Sequence, residues 1–172
     1  MRCFIAIFPS KEIKEYLCQI QKQIGNKCIK AKWIPKSQLH ITLKFLGNIK
    51  EDKLGKIKEK LSKIKFNSFE DSLNQLGSFN NKVLWVNLNK KENILKLAKL
   101  IDQEFMETEQ RFSDHITLAR IKNLKKKNEF LKKLKTKIKP IKFKVNSFEL
   151  MKSTLSKDGS RYEVLETYFL KE

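Results

Sequence analysis

The 172-residue chain is short of the residues that punctuate or staple a fold: 5 Gly, 3 Pro and 3 Cys. So little Gly and Pro excludes a collagen-like or low-complexity chain. Cys3, Cys18 and Cys28 are odd in number, cluster near the start, and show neither CxxC spacing nor a neighbouring His. That pattern argues against a disulfide framework or zinc site, and for free thiols in a reducing cytoplasm. No window approaches the roughly 18 apolar residues of a membrane helix, and the opening apolar run stops at Pro9, too early for a signal peptide. Arginine is also scarce: Arg2, Arg111, Arg120 and Arg161 are the only four among 38 basic residues.

The chain is rich in lysine and in apolar residues. Hydrophobic residues make up 40%, enough for a core, and the net charge is +19. Such a charge points to an anionic partner. Its carrier is Lys spread along the whole length, whereas bidentate phosphate and base contacts favour Arg. Most of it therefore reads as solvated surface, including the Lys-rich stretches at 125–127 and 132–144.

Periodicity predicts a mixed chain. Residues 2–8 read as a buried strand. Ser10 caps a helix over 11–24, with Ile13, Leu17, Ile20 and Ile24 on one face and Gly25 as its stop. A strand over 39–46 and a helix over 51–64 follow. Residues 69–77 are ambiguous, and 83–88 is a strand by β-propensity. Helices over 91–106 and 126–138 flank a strand over 114–121. Two final strands, 141–151 and 161–170, are joined through Asp158-Gly159, a hairpin signal. The expectation is an α+β fold with helices outside one or two sheets, in a single domain over residues 1–172.

One repeat stands out. His40-Ile41-Thr42-Leu43 recurs as His115-Ile116-Thr117-Leu118, and these are the only two His of the chain. On a strand His and Thr share a face, while Ile and Leu turn toward the core. Imidazoles titrate near neutrality, so two facing His residues can serve as acid and base in one displacement, and Thr hydroxyls two residues on can hold phosphoryl oxygens. Two His without a carboxylate cluster are too few for an ordinary zinc site. No GxSxG elbow, P-loop or GxGxxG is present.

With these motifs the chain resembles the 2H phosphoesterase superfamily, and within it the RNA 2′,3′-cyclic phosphodiesterases, also called LigT-like or 2′-5′ RNA ligase-like proteins. The likeness runs through Arg2–Ile7, Trp33–Gly47, Val83–Val86, Asp114–Arg120 and the closing hairpin from Ser153 to Tyr162 and Leu165. Where the family often has Pro before the second motif, this chain has Asp114. The resemblance implies a bilobal, pseudo-twofold fold whose antiparallel sheets line a central cleft. It implies hydrolysis of 2′,3′-cyclic phosphate RNA ends to 2′-phosphomonoesters, with no metal or other cofactor, by a monomer that engages RNA ends or oligonucleotides and no membrane. By motif, His40 is the proton donor, His115 the proton acceptor, and Thr42 and Thr117 hold the phosphate.

Arg120 matches a family Arg linked to substrate. Strict alternation puts Arg120 on the face away from His115, so that role requires a bulge. The same alternation turns Phe45 away from the cleft, into core packing. It leaves Lys44 on the His40 face, either as charge near the phosphate or as a solvated side chain. Two other readings share these residues: ATP-independent 2′-5′ RNA joining, the same chemistry with an RNA hydroxyl in place of water, and a non-catalytic RNA-binding module.

Overall fold

A computed structural model describes residues 1–105, 112–157 and 159–172. The predicted helix end at residue 106, Arg111 and the hairpin residue Asp158 lie outside the described residues. Where the period is strong, elements form as expected. Strand β1 (Arg2–Ile7) leads into helix α1 (Lys11–Ile24). The Ser10 hydroxyl accepts from the Ile13 amide at 3.4 Å, and Gly25, at φ +58°, ends the helix. Ile13, Leu17, Ile20 and Ile24 are buried. Each such side chain contributes about 1.5–3 kcal/mol when removed from water.

The sequence pattern missed one strand. β2 (Ile29–Trp33) is five residues long, with Lys30 and Lys32 exposed and only Ile29 fully buried, too short an alternation to stand out. After a 3₁₀ turn at Lys36–Gln38 come β3 (Ile41–Asn48), α2 (Glu51–Ser62), β4 (Phe69–Phe79), β5 (Val83–Leu88), α3 (Lys91–Glu104) and β6 (His115–Leu124). The last helix, α4 (Lys127–Leu134), is shorter than its period suggested and buries Phe130 while leaving Leu131 exposed. The expected strand over 141–151 divides at Asn146 into β7 (Lys142–Val145) and β8 (Ser147–Ser156), because the two pieces pair with different partners; β9 (Gly159–Phe169) closes the chain.

The strands pair in the order β7-β4-β5-β6-β3-β1-β8-β9, with β2 added on β6, and every pairing between these strands is antiparallel. The order is palindromic if β1 is matched to β5, β3 to β6, β8 to β4 and β9 to β7. The chain is thus a β-α-β-α-β unit (β1-α1-β3-α2-β4) followed by its copy (β5-α3-β6-α4-β8). The third strand of each unit joins the other unit's lobe, since β4 pairs with β5 and β8 with β1. At the midpoint β3 meets β6 in one registered pair, Ile41 opposite Ile116. The pseudo-twofold axis passes between the same residue of the two His-Ile-Thr-Leu copies.

The helices cover one face of this sheet. Cys3, Ile5, Ile7, Ile41, Leu43, Ile116 and Leu118 join the main core on that side. Phe4, Ala6 and Met151 point the other way and form a small separate cluster with Phe8 and Tyr162 packed on it.

Both central strands break their alternation at the same motif residue. Thr42 stands opposite Ala6 and Lys44 opposite Ile5, so Leu43 has no partner on β1. Thr117 stands opposite Trp85 and Ala119 opposite Leu84, so Leu118 has none on β5. Each extra residue is a β-bulge that reverses the parity beyond it. Burial follows: Leu43-Lys44 and Leu118-Ala119 are buried in succession, and Phe45 and Arg120 emerge exposed.

This corrects the placement of two residues. Lys44 does not lie on the His40 face. It turns into the core, where its Nζ pairs with Asp102 of α3 at 2.7 Å, both side chains at most 8% exposed. Phe45 is not core packing: it is 63% exposed, on the face of Phe4, 6.4 Å between ring centroids. Each bulge is gripped by the helix of the other unit. Asp102 of α3 holds β3 through Lys44. Gln21 of α1 donates to the carbonyl of Leu118 itself and to that of Ile34, each at 2.9 Å.

Candidate active site

The Ile41–Ile116 pairing decides where the chemistry sits. With those two side chains on the core side, the flanking residues His40, Thr42, His115 and Thr117 take the opposite face. All four are partly buried there. The tight antiparallel contact sets the two units' His and Thr side by side, and the charge of His115 is felt at His40.

The rings are held alike. His40 Nδ1 lies 2.6 Å from the Gln38 carbonyl oxygen. His115 Nδ1 lies 3.0 Å from that of Ser113. A carbonyl only accepts, so each Nδ1 carries a proton and donates it. That leaves Nε2 as the titrating nitrogen of both imidazoles. The holding carbonyl comes from two residues upstream in each copy, so the pseudo-symmetry extends to the tautomer. Gln38 is itself tethered, its Nε2 donating to the Ser160 carbonyl at 2.6 Å.

The two halves then diverge. His40 Nε2 lies 3.1 Å from Thr42 Oγ1, and with Nε2 bare the hydroxyl is the donor. Among the described residues His115 Nε2 has no counterpart to this bond. Around His40 stand three aromatic rings: Phe4 at 5.2 Å, Phe8 at 5.6 Å and Tyr162 at 5.5 Å, the last edge-on at 87°. Among the described residues His115 has one, Phe79 edge-on at 5.0 Å, backed by Trp85 at 5.1 Å from Phe79. The Trp85 ring lies across Gly77 of β4; a Cβ there would fall 2.2 Å from it, so only glycine fits.

Burial is the main cause holding both imidazoles below their ordinary range. The carbonyl bonds oppose it in both. Beyond that the neighbours differ in sign: His115 and Lys14 push His40 further down, whereas Asp114 pulls His115 up and Arg120 pushes it down. Asp114, where the resembling family often has Pro, is buried, accepts from the Leu88 amide at 3.2 Å and lies 3.8 Å from Lys91. It ties the second motif to β5 and α3.

Of the residues singled out by sequence, the structure brings His40, Thr42, His115 and Thr117 together, adds Phe45 and Arg120 through the bulges, and removes Lys44. Arg120 acts on Tyr162, as Arg2 does: both favour the phenolate against the burial that raises the Tyr162 pKa. Phe4, Phe8, Tyr162, Phe79 and Trp85 escaped the sequence reading. The available signal was strand parity on β1, where Phe4 and Phe8 oppose the Cys3-Ile5-Ile7 core face; aromatics there looked like ordinary core. Among the described residues no three His, Cys, Asp or Glu side chains come together as a metal site, and no helix is long and apolar enough to cross a membrane.

Comparison with known proteins follows the same two-part division. The pattern of the LigT like phosphoesterase family matches twice, over residues 7–85 and 86–162, close to the two structural units. An RNA 2′,3′-cyclic phosphodiesterase of Methanocaldococcus jannaschii is 33% identical, covering 98% of this chain and 100% of its own. One of the same name from Thermotoga maritima is 31% identical over 96% of this chain and 93% of its own. A crystal structure from Thermus thermophilus superposes with a TM-score of 0.84 at 26% identity, covering 99% of this chain and 98% of that one. E. coli LigT in complex with 3′-AMP shares the fold, with a TM-score of 0.80 at 22% identity over 99% of this chain and 98% of that one.

Proposed function

The chain belongs to the LigT like phosphoesterase family, and from that premise we propose that it hydrolyses RNA 2′,3′-cyclic phosphate ends to 2′-phosphomonoesters. The observation that carries this reading is the pairing of Ile41 with Ile116, which sets two imidazoles of matched tautomer on one face, each with Nε2 as its working nitrogen.

The cyclic phosphate lies between the rings, its non-bridging oxygens held by the Thr42 and Thr117 hydroxyls and the Arg120 guanidinium. His115 Nε2 takes a proton from water as the water oxygen bonds to phosphorus. His40 enters the reaction having taken a proton from solvent at Nε2, which frees the Thr42 hydroxyl for the phosphate; the bond from phosphorus to the 3′ oxygen then breaks, and that oxygen receives this proton. The products are a 3′ hydroxyl and a 2′-phosphate. Neither step needs a metal ion. Phe45, 63% exposed beside Phe4, offers its ring to the terminal base. Acid and base come from different halves of the chain, so the two lobes act as one unit. Three free thiols, Cys3, Cys18 and Cys28, suit a cytoplasmic setting.

The test is turnover of a nucleoside 2′,3′-cyclic phosphate by the wild type and by His40→Ala and His115→Ala, with and without EDTA. Loss of turnover in both variants and indifference to EDTA are expected; full activity in either variant sinks the reading. A 3′-phosphate product would reassign the leaving group.

One observation favours exchanging the two roles. In the free protein Asp114 supports a proton on His115 while Lys14 opposes one on His40. A substrate with a nitrophenolate leaving group, which departs without a proton, decides between the orders: it restores turnover only to the variant lacking the donor.

A further inference from the structure

Across the Phe8 ring from His40 lies an open surface cavity of about 550 Å³ lined by Lys11, Lys14, Lys36 and Ser37. Two elements that adjoin the histidine pair build it. The first turn of α1 supplies Lys11 and Lys14, and the 3₁₀ turn supplies Lys36 and Ser37. That same turn ends at Gln38, whose carbonyl holds the His40 ring. The Lys14 ammonium stands 4.9 Å from the centre of the Phe8 ring, and the Phe8 ring 5.6 Å from that of His40. One aromatic ring therefore separates this ammonium from the His40 imidazole.

The charge around the cavity is unbalanced. Three ammoniums meet two carboxyl groups that the structure shows interacting with them. Glu15 pairs with Lys36 at 2.8 Å, with both side chains about half exposed, so water competes strongly for that pair. Glu149 faces Lys14 from β8. Burial pushes its carboxyl toward the neutral form, and Oε2 is buried without a hydrogen-bond partner. Lys14 itself is partly withdrawn from water, which pulls its pKa down. A cluster of cations, two exposed and one partly withdrawn from water, concentrates anions.

The anion that suits this position follows from the covalent structure of the substrate. A 2′,3′-cyclic phosphate ends the strand, so the terminal nucleotide connects to the rest of the RNA only through its 5′ oxygen. The next phosphate along is the 5′ one. We propose that the Lys11-Lys14-Lys36 cavity is a subsite for the phosphate on the 5′ side of the terminal nucleotide, next to the histidine pair. Its recognition is electrostatic and blind to base identity. The inference rests on the cyclic phosphodiesterase reading and adds to it a preference for RNA ends over free cyclic nucleosides.

Three substrates separate the two statements: a nucleoside 2′,3′-cyclic phosphate, the same compound with a 5′-phosphate, and an oligonucleotide with a cyclic end. The wild type is expected to favour the second and third over the first, chiefly through KM, and increasingly so at low salt. In Lys11→Ala/Lys36→Ala and in Lys14→Met, the ratio of kcat/KM for the 5′-phosphorylated compound over the plain one falls about tenfold, and the salt slope of KM flattens. An unchanged ratio in both variants overturns the subsite, as does a wild type indifferent to the 5′-phosphate. A wild type that leaves all three substrates intact fails the parent reading instead. An oligonucleotide preference without a 5′-phosphate preference places the contact farther along the strand and also overturns the proposal. Melting curves matching the wild type establish that the variants are folded.

Discussion

The His40 and His115 halves share a tetrapeptide, a strand, a bulge at the same residue and a carbonyl holding the same ring nitrogen, yet they have surrounded their histidines differently. The first site packs His40 among Phe4, Phe8 and Tyr162 and fixes its bulge with a buried ion pair to the other unit, Lys44–Asp102. The second sets Arg120 beside His115 and secures its bulge with a neutral amide, Gln21 to the Leu118 carbonyl. The duplicated backbone supplies two imidazoles held through the same ring nitrogen. The neighbours are unequal: His40 stands in an aromatic wall and His115 beside the cationic charge of Arg120.

The sharpest way to break the comparison is at the histidines. His40→Ala and His115→Ala should each lower kcat by about 10²–10⁴-fold, the usual worth of a positioned acid or base, and the double variant should lose far less than the product of the two. Turnover of a 2′,3′-cyclic nucleotide measures this. The bulge supports come next. Lys44→Met leaves Asp102 buried without its partner and should destabilise by about 3–5 kcal/mol, with Lys44→Met/Asp102→Leu regaining most of the loss. Gln21→Ala, which removes only neutral bonds, should cost about 1–2 kcal/mol. Denaturant unfolding of the four proteins tests the ranking, and equal losses for Lys44→Met and Gln21→Ala would erase the distinction between the two supports.

Gly77→Ala should displace the Trp85 ring and disturb Phe79 and His115 while sparing His40. We expect a loss of about 1–3 kcal/mol in stability, the range for overpacking. Chemical shifts of the two imidazoles report whether the perturbation stays at the His115 site.

The smallest effect is in pH. Both histidines have folded-state values below the ordinary one, so the folded chain binds their protons less readily than the unfolded chain. Stability from this source is present above about pH 6.5 and falls as pH drops below it. His40→Ala should flatten that decline in thermal melts between pH 7 and 5. The acid limb of kcat/KM should likewise lie below pH 6.5, because the base must be neutral in the free enzyme.

Much of the fold was legible because most elements obey their periods. Ile13, Leu17, Ile20 and Ile24 announced α1, and Val83–Leu88 announced β5. β2 was hidden because it is short, with one fully buried residue in five. The division at Asn146 was hidden because β7 and β8 differ in partner and not in propensity.

The same distinction separates what the sequence determined from what the tertiary structure decided. The sequence by itself determined the candidate reacting groups of the proposed mechanism: two histidines, each with a threonine two residues on, in two equivalent strands. Alternation is a local property, and over His-x-Thr it holds. Which residues join them was decided by pairing. Leu43 and Leu118 find no partner on the neighbouring strands, and each bulge turns the next residues over. Lys44 is thereby sent to Asp102 in the core, and Phe45 and Arg120 to the cleft. Whether a residue in a strand bulges depends on the hydrogen bonds of another strand, and no period within the segment carries that information.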